Sequence, residues 1–397
     1  MSDKLDGLNV CLMNDSFPPV IDGVATTILN YAEIINNGLG KATVVTPEYP
    51  GAKDDFPFPV VRYTSMSITE KICSYRMGYP FSASKLDSLT SSGFDIIHTH
   101  CPFASMLMAR VLRIKTGVPM VLTYHTKFDI DIRRALPTKL MQDQAIKMLI
   151  SNISCADEVW TVSEGARQNL IDLGYEENEH HRIRIMENGV DFPRGRADPE
   201  DAAELRAELG VEGHGPVFIF VGRLLWYKGI RHILDSLKIL DEKNIDFRMM
   251  FVGDGADRAE IEACVDELKL REKVIFTGAI YDREELRVYY TAGDLFIFPS
   301  LYDTNGIVVR EAAACGVASV LIKGSCAAEG LTHMRTGNTS NQETELQQDL
   351  FTGISRVTDA VQKFRSIPAV SAIRESNSRN MAKYRARKEE KKKQESE

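Results

Sequence analysis

VFIFVGRLLWYKGI, residues 217–230, decides how the chain folds. Val217 to Val221 are consecutive apolar residues of β-branched and aromatic type, the pattern of a strand buried on both faces rather than one with a wet side. Gly222 ends the run, and the residues after Gly229 read as a helix. A strand covered on both faces and followed by a helix is the first part of a βαβ unit, so its sheet is expected to be parallel. The connecting loop carries two cations, Arg223 and Lys228.

The same alternation of short apolar run and longer helical pattern extends in both directions. LNVCLM, ATVV, DIIH, MVLTY, EVWTV and IRIM precede it, and RMMFV, KVIFT, LFIFP and ASVLI follow. Between the two series lies NGVDFPRGRADPEDAAELRAELGVEGHG, polar and punctuated by Pro193, Pro199 and several glycines. The expectation is therefore two open α/β domains with parallel sheets, residues 1–190 and 216–370, joined by a linker at 191–215. Such sheets bind ligands outside their carboxyl ends, so the cleft between the two sheets and the loops after strands carry the chemistry. From about Asn338 the strand signals stop, which leaves the second domain incomplete after 337 unless DLFTGISRVTDAVQKF supplies a helix. Residues 371–397, ending KYRARKEEKKKQESE, read as a charged, solvated tail.

Composition narrows the classes. Of 397 residues, 44% are hydrophobic and 26% charged, ordinary for a soluble globular protein. The formal net charge of −8 argues against a protein that coats nucleic acid. The 7 cysteines are odd in number and contain no C-x-x-C pair, which points away from a disulfide framework or zinc ribbon and toward a reducing cytoplasm. No stretch approaches the roughly 20 apolar residues of a membrane span, so any membrane contact is expected to be peripheral. One candidate for it is LPTKLMQDQAIKMLI, with Lys127, Arg133, Arg134 and Lys139 around it.

Several loops hold candidate site residues. In NDSFPPVIDGVATT, Gly23 lets a ligand approach the backbone, and the amides of the helix that opens near Val24 can hold a phosphate oxygen. HTHC, residues 98–101, puts His98 and His100 on one strand face without an identifiable third metal ligand, so hydrogen-bonded histidines are expected there rather than zinc. His125 ends MVLTY at a sheet's carboxyl edge, where a neutral imidazole can hydrogen-bond a sugar hydroxyl or donate to a leaving-group oxygen. Asp129 and Asp131 read as a solvated loop pair rather than a metal site. In the opening stretch the lysine precedes its glycine, so Gly222 to Gly229 is not an ATPase phosphate loop. VGDGADR has Arg258 where a dinucleotide fingerprint needs its third glycine. Arg223 and Lys228 are instead suited to a diphosphate, since two fixed positive charges can stand in for a metal ion against a departing phosphate. In FPSLYDTNGIVVREAAACG, the loop presents Asp303 and a series of amides, and Glu311 follows on the helix, placed to accept two neighbouring ribose hydroxyls.

Taken together, DSFPP, HTHCPF, TYHT, VSEGARQNL, ENGVD, VGRLLWYKG, FVGDGADR and DTNGIVVREAAACG resemble, in order, the retaining glycosyltransferases of family 4, from about Leu8 to Gly337. The nearest look is the branch of diacylglycerol glucosyltransferases and related mannosyltransferases. The resemblance implies the GT-B fold of two Rossmann-like domains, with acceptor on the first and nucleotide sugar on the second. It implies Gly23 and Gly222 beside the donor, His125 near the transferred sugar, Arg223 and Lys228 on the diphosphate, Glu311 on the ribose, and Asn305, Gly306 and Ile307 as amides for phosphate and sugar. Asp303 stands where the family has the first glutamate of a two-glutamate motif, one methylene shorter. The implied activity is metal-independent, cofactor-free, retaining transfer of a hexose from a UDP-sugar, or GDP-mannose, to a lipid or glycan hydroxyl. The alternative is a sugar-nucleotide-binding or scaffold protein of impaired catalysis.

Overall fold

The computed structural model describes residues 7–20, 22–67, 76–179 and 181–330. The expectations for residues 338–397 lie outside them. The described residues divide into two compact units: those up to Asp191 together with Asp303–Ile307, and Phe192–Tyr302 with those from Val308 onward.

The first unit contains β1 (Leu8–Met13), β2 (Gly40–Pro47), β3 (Val60–Tyr63), β4 (Ser65–Ser67), β5 (Arg76–Gly78), β6 (Ile96–Thr99), β7 (Met120–Tyr124), β8 (Glu158–Thr161) and β9 (Ile183–Ile185). Its 7-stranded sheet has the order β3-β2-β1-β6-β7-β8-β9. Every neighbouring pair is parallel. β4 and β5 form a separate antiparallel pair. The second unit contains β10 (Val217–Val221), β11 (Arg248–Val252), β12 (Val274–Gly278), β13 (Leu295–Phe298) and β14 (Ala318–Leu321). They form a 5-stranded sheet in the order β12-β11-β10-β13-β14, again parallel throughout.

Each apolar run named in the sequence forms a strand, and β3, β4 and β5 are additional. β3 is only four residues long and sits directly behind Pro57 and Pro59, which masked it. Alternate residues of β1 enter opposite layers, as the pleat demands. Cys11 and Met13 pack among Ile97, Met106 and Leu122, while Val10 and Leu12 pack among Ile28, Ala32 and Val44. That is why LNVCLM has no polar face. In the second unit an aromatic series crosses the sheet: Phe276 stacks on Phe251 at 5.3 Å, Phe251 meets Phe220 at 5.7 Å, and Phe220 stacks on Phe298 at 5.8 Å. Each such pair adds about 0.5–1.5 kcal/mol beyond its area burial.

The stretch read as a linker, 191–215, carries a helix, Pro199–Glu208, with proline in its first turn and Asp198 accepting from the Glu200 amide at 2.9 Å. Arg206 on that helix donates to Asp294 at 2.9 Å, and Asp294 in turn accepts from the Val217 amide at 2.8 Å. The helix is thereby tied to the first residue of β10.

Glycines let the loops at the carboxyl edge of this sheet touch backbone to backbone. A Cβ on Gly229, whose φ is 80°, would lie 2.4 Å from the Pro299 carbonyl oxygen. One on Gly253, φ 140°, would lie 2.0 Å from the Gly222 oxygen. We expect Gly229→Ala to lower stability by roughly 2–3 kcal/mol, whereas Gly210→Ala should cost about 1 kcal/mol. The second site has a comparable φ of 66° but nothing within 4 Å. Urea unfolding midpoints of the two variants separate the cost of the collision from that of the backbone conformation.

Candidate active site

Open parallel sheets offer a crevice where the strand order reverses, outside the carboxyl ends. In the second unit that point lies between β10 and β13, and the segments leaving it within that unit are residues 222–229 and 299–302. In the first unit it lies between β1 and β6, at residues 14–22 and 100–103. The predicted residues fall into two sets accordingly.

Gly222, Arg223 and Lys228 occupy the loop after β10. Trp226–Lys228 form one 3₁₀ turn, and Gly229 leads into the helix Ile230–Glu242. The turn is anchored by neighbours invisible to local sequence reading: Asp257 accepts from the Trp226 amide at 2.8 Å, and Glu260 from its indole at 3.0 Å. The Leu224 amide also donates to the Asp254 carbonyl at 3.0 Å. Arg223 is exposed and donates to the Tyr227 hydroxyl at 3.3 Å. The Lys228 ammonium lies 5.7 Å from the Tyr227 ring centre and 5.9 Å from that of Phe298, close enough for a cation–π attraction. Glu311 lies on the helix Ile307–Ala314. Its Oε2 accepts from the buried Tyr290 hydroxyl at 3.0 Å, and the same hydroxyl reaches the Val308 carbonyl at 3.2 Å. Burial pushes the Glu311 carboxyl above its ordinary pKa, and the Tyr290 bond opposes that rise. Tyr290 sits in REELRVYYTAG with no local signal of this role; only the tertiary fold brings it to Glu311.

Gly23, His125 and the segment Asp303–Ile307 belong to the first unit. Gly23 begins the helix Gly23–Ile34, and a Cβ on it would lie 3.6 Å from the Ile307 side chain. The helix amides at Val24 and Ala25 both donate to Asp22 Oδ1 at 2.8 Å. The chain's own carboxylate thus takes the two bonds that the sequence reading assigned to a phosphate oxygen. Asp15, in the same loop, was passed over in the sequence. Its carboxylate accepts from the Ala104 and Ser105 amides at 3.0 and 2.7 Å and from the Tyr63 hydroxyl at 3.2 Å. It caps the helix Ala104–Thr116 and fastens the β1 loop to the segment after β6. Thr304 donates its hydroxyl to the His125 carbonyl, and Asn305 donates to the Val162 carbonyl at 2.7 Å. Asp303 is half-buried beside them, and Gly306 has a φ of 61°.

His98, His100 and His125 are all buried. His98 Nε2 pairs with the Thr123 hydroxyl at 2.7 Å, and His100 Nδ1 with His125 Nε2 at 2.9 Å. Among the described residues no group of three or more His, Cys, Asp or Glu side chains is arranged to hold a metal ion. Asp129 and Asp131 do not form a loop pair: both lie in the first turn of the helix Phe128–Ala135, where carboxylates favour the positive end of the helix. Asp129 there accepts from Asn169 at 3.3 Å and lies 3.8 Å from Arg133. Arg258 pairs with Glu262 at 2.8 Å and Asp254 at 3.3 Å, a helix-surface role.

The Tyr290–Glu311 pair yields a measurable expectation. Since the folded pKa of Glu311 is raised, its contribution to stability is full below the ordinary carboxyl range and is lost as pH rises through the raised value. Tyr290→Phe removes the opposing hydrogen bond, so Glu311 should titrate still higher in the variant. Carbon-13 NMR titration of the glutamate carboxyls reads this directly, and an unchanged or lowered value contradicts the role given to Tyr290.

Residues 21–194 match the family model described as Glycosyltransferase Family 4, and residues 201–357 match that described as Glycosyl transferases group 1. Similar proteins include an alpha-monoglucosyldiacylglycerol synthase of Streptococcus pneumoniae, 23% identical over 78% of this chain and 70% of its own length. A sulfoquinovosyl transferase of Arabidopsis thaliana is 27% identical over 76% of this chain and 56% of its own. A 2-deoxystreptamine glucosyltransferase of Streptomyces kanamyceticus is 35% identical, but over only 36% of this chain and 38% of its own. Among solved structures, the Anabaena protein HepE in complex with UDP and glucose superposes with a TM-score of 0.68 at 19% identity, covering 94% of this chain and 99% of that one. Two parallel-sheet units, their switch-point loops and the paired family models lead to one assignment: the chain belongs to the family 4 type of glycosyltransferases, with the GT-B fold.

Proposed function

We propose that the protein moves a hexose from a nucleotide diphosphate sugar to a hydroxyl of a lipid or glycan, with retention at the anomeric carbon and without a metal ion. The observation that carries the proposal is the position of Arg223 and Lys228: both stand on the loop at the switch point of the second unit, on a turn braced by Asp257 and Glu260. A UDP-sugar is the favoured donor and GDP-mannose the alternative. HepE was solved with UDP and glucose, and the pneumococcal relative is named for glucosylating a diacylglycerol. In this reading residues 216–370 hold the donor and residues 1–190 the acceptor.

The acceptor oxygen attacks the anomeric carbon from the face the diphosphate leaves. The bond from that carbon to the phosphate oxygen breaks as the new glycosidic bond forms, and the acceptor proton passes to the departing phosphate. Arg223 and Lys228 stabilise the charge that develops there. Glu311 receives the ribose hydroxyls, while Asp303 and the amides of Asn305, Gly306 and Ile307 meet the sugar and its phosphate. Gly23 and Gly222 allow the donor close approach, and His125 contacts the transferred sugar. Loss of one preorganised contact of this type raises a barrier by about 3–4 kcal/mol. Arg223→Ala and Lys228→Ala should therefore each reduce turnover of the preferred UDP-, GDP- or ADP-sugar by roughly 10²–10³-fold with the fold intact. Near-normal turnover in either variant overturns the assignment. Wild-type protein that binds a nucleotide sugar without releasing its nucleotide diphosphate in the presence of acceptor establishes the non-catalytic alternative, which the shorter Asp303 favours.

A lipid acceptor calls for contact with its bilayer. Among the described residues no helix is long and apolar enough to cross a membrane. The helix Lys139–Ile153 nevertheless exposes Leu140 at 71% and Met148 at 73%, close in sequence to Lys127, Arg133, Arg134 and Lys139. Apolar side chains amid cations are the composition of a surface that lies on anionic lipid, here the cytosolic face. We expect cosedimentation with vesicles containing anionic phospholipid and its loss on Leu140→Ser/Met148→Ser. Equal binding to purely zwitterionic vesicles removes the electrostatic part of this reading.

A further inference from the structure

His100, His125 and Asn188, all buried, form one hydrogen-bonded chain, and a third buried histidine, His98, packs beside it and bonds Thr123. His98 lies in β6 and His100 just after it, His125 follows β7, and Asn188 follows β9. The His98 and His100 rings lie 4.0 Å apart at a 33° tilt, and the Tyr31 ring lies 5.8 Å from the first and 5.5 Å from the second. His125 makes one contact at each ring nitrogen. Nε2 meets His100 Nδ1 at 2.9 Å, and Nδ1 faces the Asn188 amide nitrogen at 3.5 Å. Its backbone is held as well, through the carbonyl that accepts from Thr304.

The direction of this chain follows from its end. An amide nitrogen can only donate, so His125 Nδ1 carries the lone pair and the ring proton sits on Nε2. That proton points into the His100 Nδ1 lone pair and drives the His100 proton to its own Nε2. His100 is 1% exposed, and among the described residues its Nε2 has no hydrogen-bond partner; neither has Asn188 Oδ1. Reversing the chain would set an N–H of His125 against an N–H of Asn188. The direction set by the Asn188 amide nitrogen leaves the His100 Nε2 proton and Asn188 Oδ1 without partners among the described residues; the reverse, with the Asn188 amide turned, leaves a His100 lone pair and the Asn188 N–H groups so, and the spectrum described below decides between the two.

We propose that His100 is a positioning residue that locks His125 in the tautomer protonated at Nε2, so that His125 meets the transferred sugar through Nδ1, as a hydrogen-bond acceptor and not as an acid. The contact with the sugar rests on the donor reading above; the tautomer does not. At 3.5 Å the Asn188 bond is the long one of the pair and the one a sugar hydroxyl displaces, whereas the 2.9 Å bond to His100 stays. Burial holds His98 and His125 down to about 3 and His100 well below the usual imidazole range, so the three rings are neutral at physiological pH. A neutral ring with its proton engaged by His100 has none to give to a leaving group.

Long-range nitrogen–proton correlation NMR of the full-length, ligand-free protein labelled at histidine nitrogen reads the tautomer. The expected spectrum has His125 protonated at Nε2 and bare at Nδ1; the opposite pattern overturns the proposal whatever the enzyme transfers. His100→Asn, whose side-chain oxygen can occupy the place of Nδ1, should keep the His125 tautomer and stay within about threefold of wild-type kcat, whereas His100→Phe should lose the tautomer preference and roughly 10–100-fold in kcat. Equal kcat in the two folded variants overturns the proposal. Where His100→Phe does not fold, His100→Gln serves instead, since it carries its amide at the position of Nε2 and should lose the tautomer that His100→Asn keeps. Absence of transfer from every nucleotide sugar tried would sink the donor reading while the wild-type spectrum still decided the tautomer.

Discussion

The second unit depends on a backbone-to-backbone contact, the bare Cα of Gly229 against the carbonyl of Pro299. It joins the loop after β10 to the loop after β13, the two strands between which the sheet reverses its order. A side chain at Gly229 would push these loops apart and with them the turn that carries Arg223 and Lys228. Gly253, set against the Gly222 carbonyl, repeats the device between β10 and β11. The cations thus stand on a surface fixed from three strands, and preorganisation of that kind lets a charge act on a reacting group without first being ordered.

The two units use opposite electrostatic strategies. In the second, charge is kept near water: Arg223 is exposed, and Lys228 is half-buried with its ammonium near the faces of Tyr227 and Phe298. Neither cation is asked to bear the full cost of a dry interior. In the first unit His98, His100 and His125 are deeply buried, and burial holds each of them below the usual imidazole range. Asp22 adds a third arrangement, a carboxylate satisfying the helix amides to which an incoming anion would otherwise bind.

Much of this was legible in the chain. Runs such as VFIFV and RMMFV lack any polar alternation, which parallel sheets covered on both faces require, and both became central strands with the bounds their composition suggested. VVRY, residues 60–63, did not stand out, because an edge strand of four residues behind two prolines carries little periodicity. The loop after β10 was recognisable from its cations and glycines. Its supports were not: Asp257, Glu260 and Tyr290 act on residues 21 to 34 positions away, at distances only a finished sheet creates. Asp129 and Asp131 misled for a related reason. Their distance from the preceding strand suggested a loop, but a helix had already begun at Phe128.

The position of β10 also bears on how the protein is made. It is the first strand of its sheet to be synthesised, yet it lies in the middle, with Ile219 beside Met250 on one edge and Phe296 on the other. Until the later strands emerge from the ribosome, a charge-free run of valine, isoleucine and phenylalanine has both edges bare. Short windows of that composition pair readily with strands of other chains. Parallel partners far apart in sequence also form slowly. The pentapeptide at the centre of the finished sheet is therefore an aggregation-prone segment of the nascent chain until β13 covers its second edge.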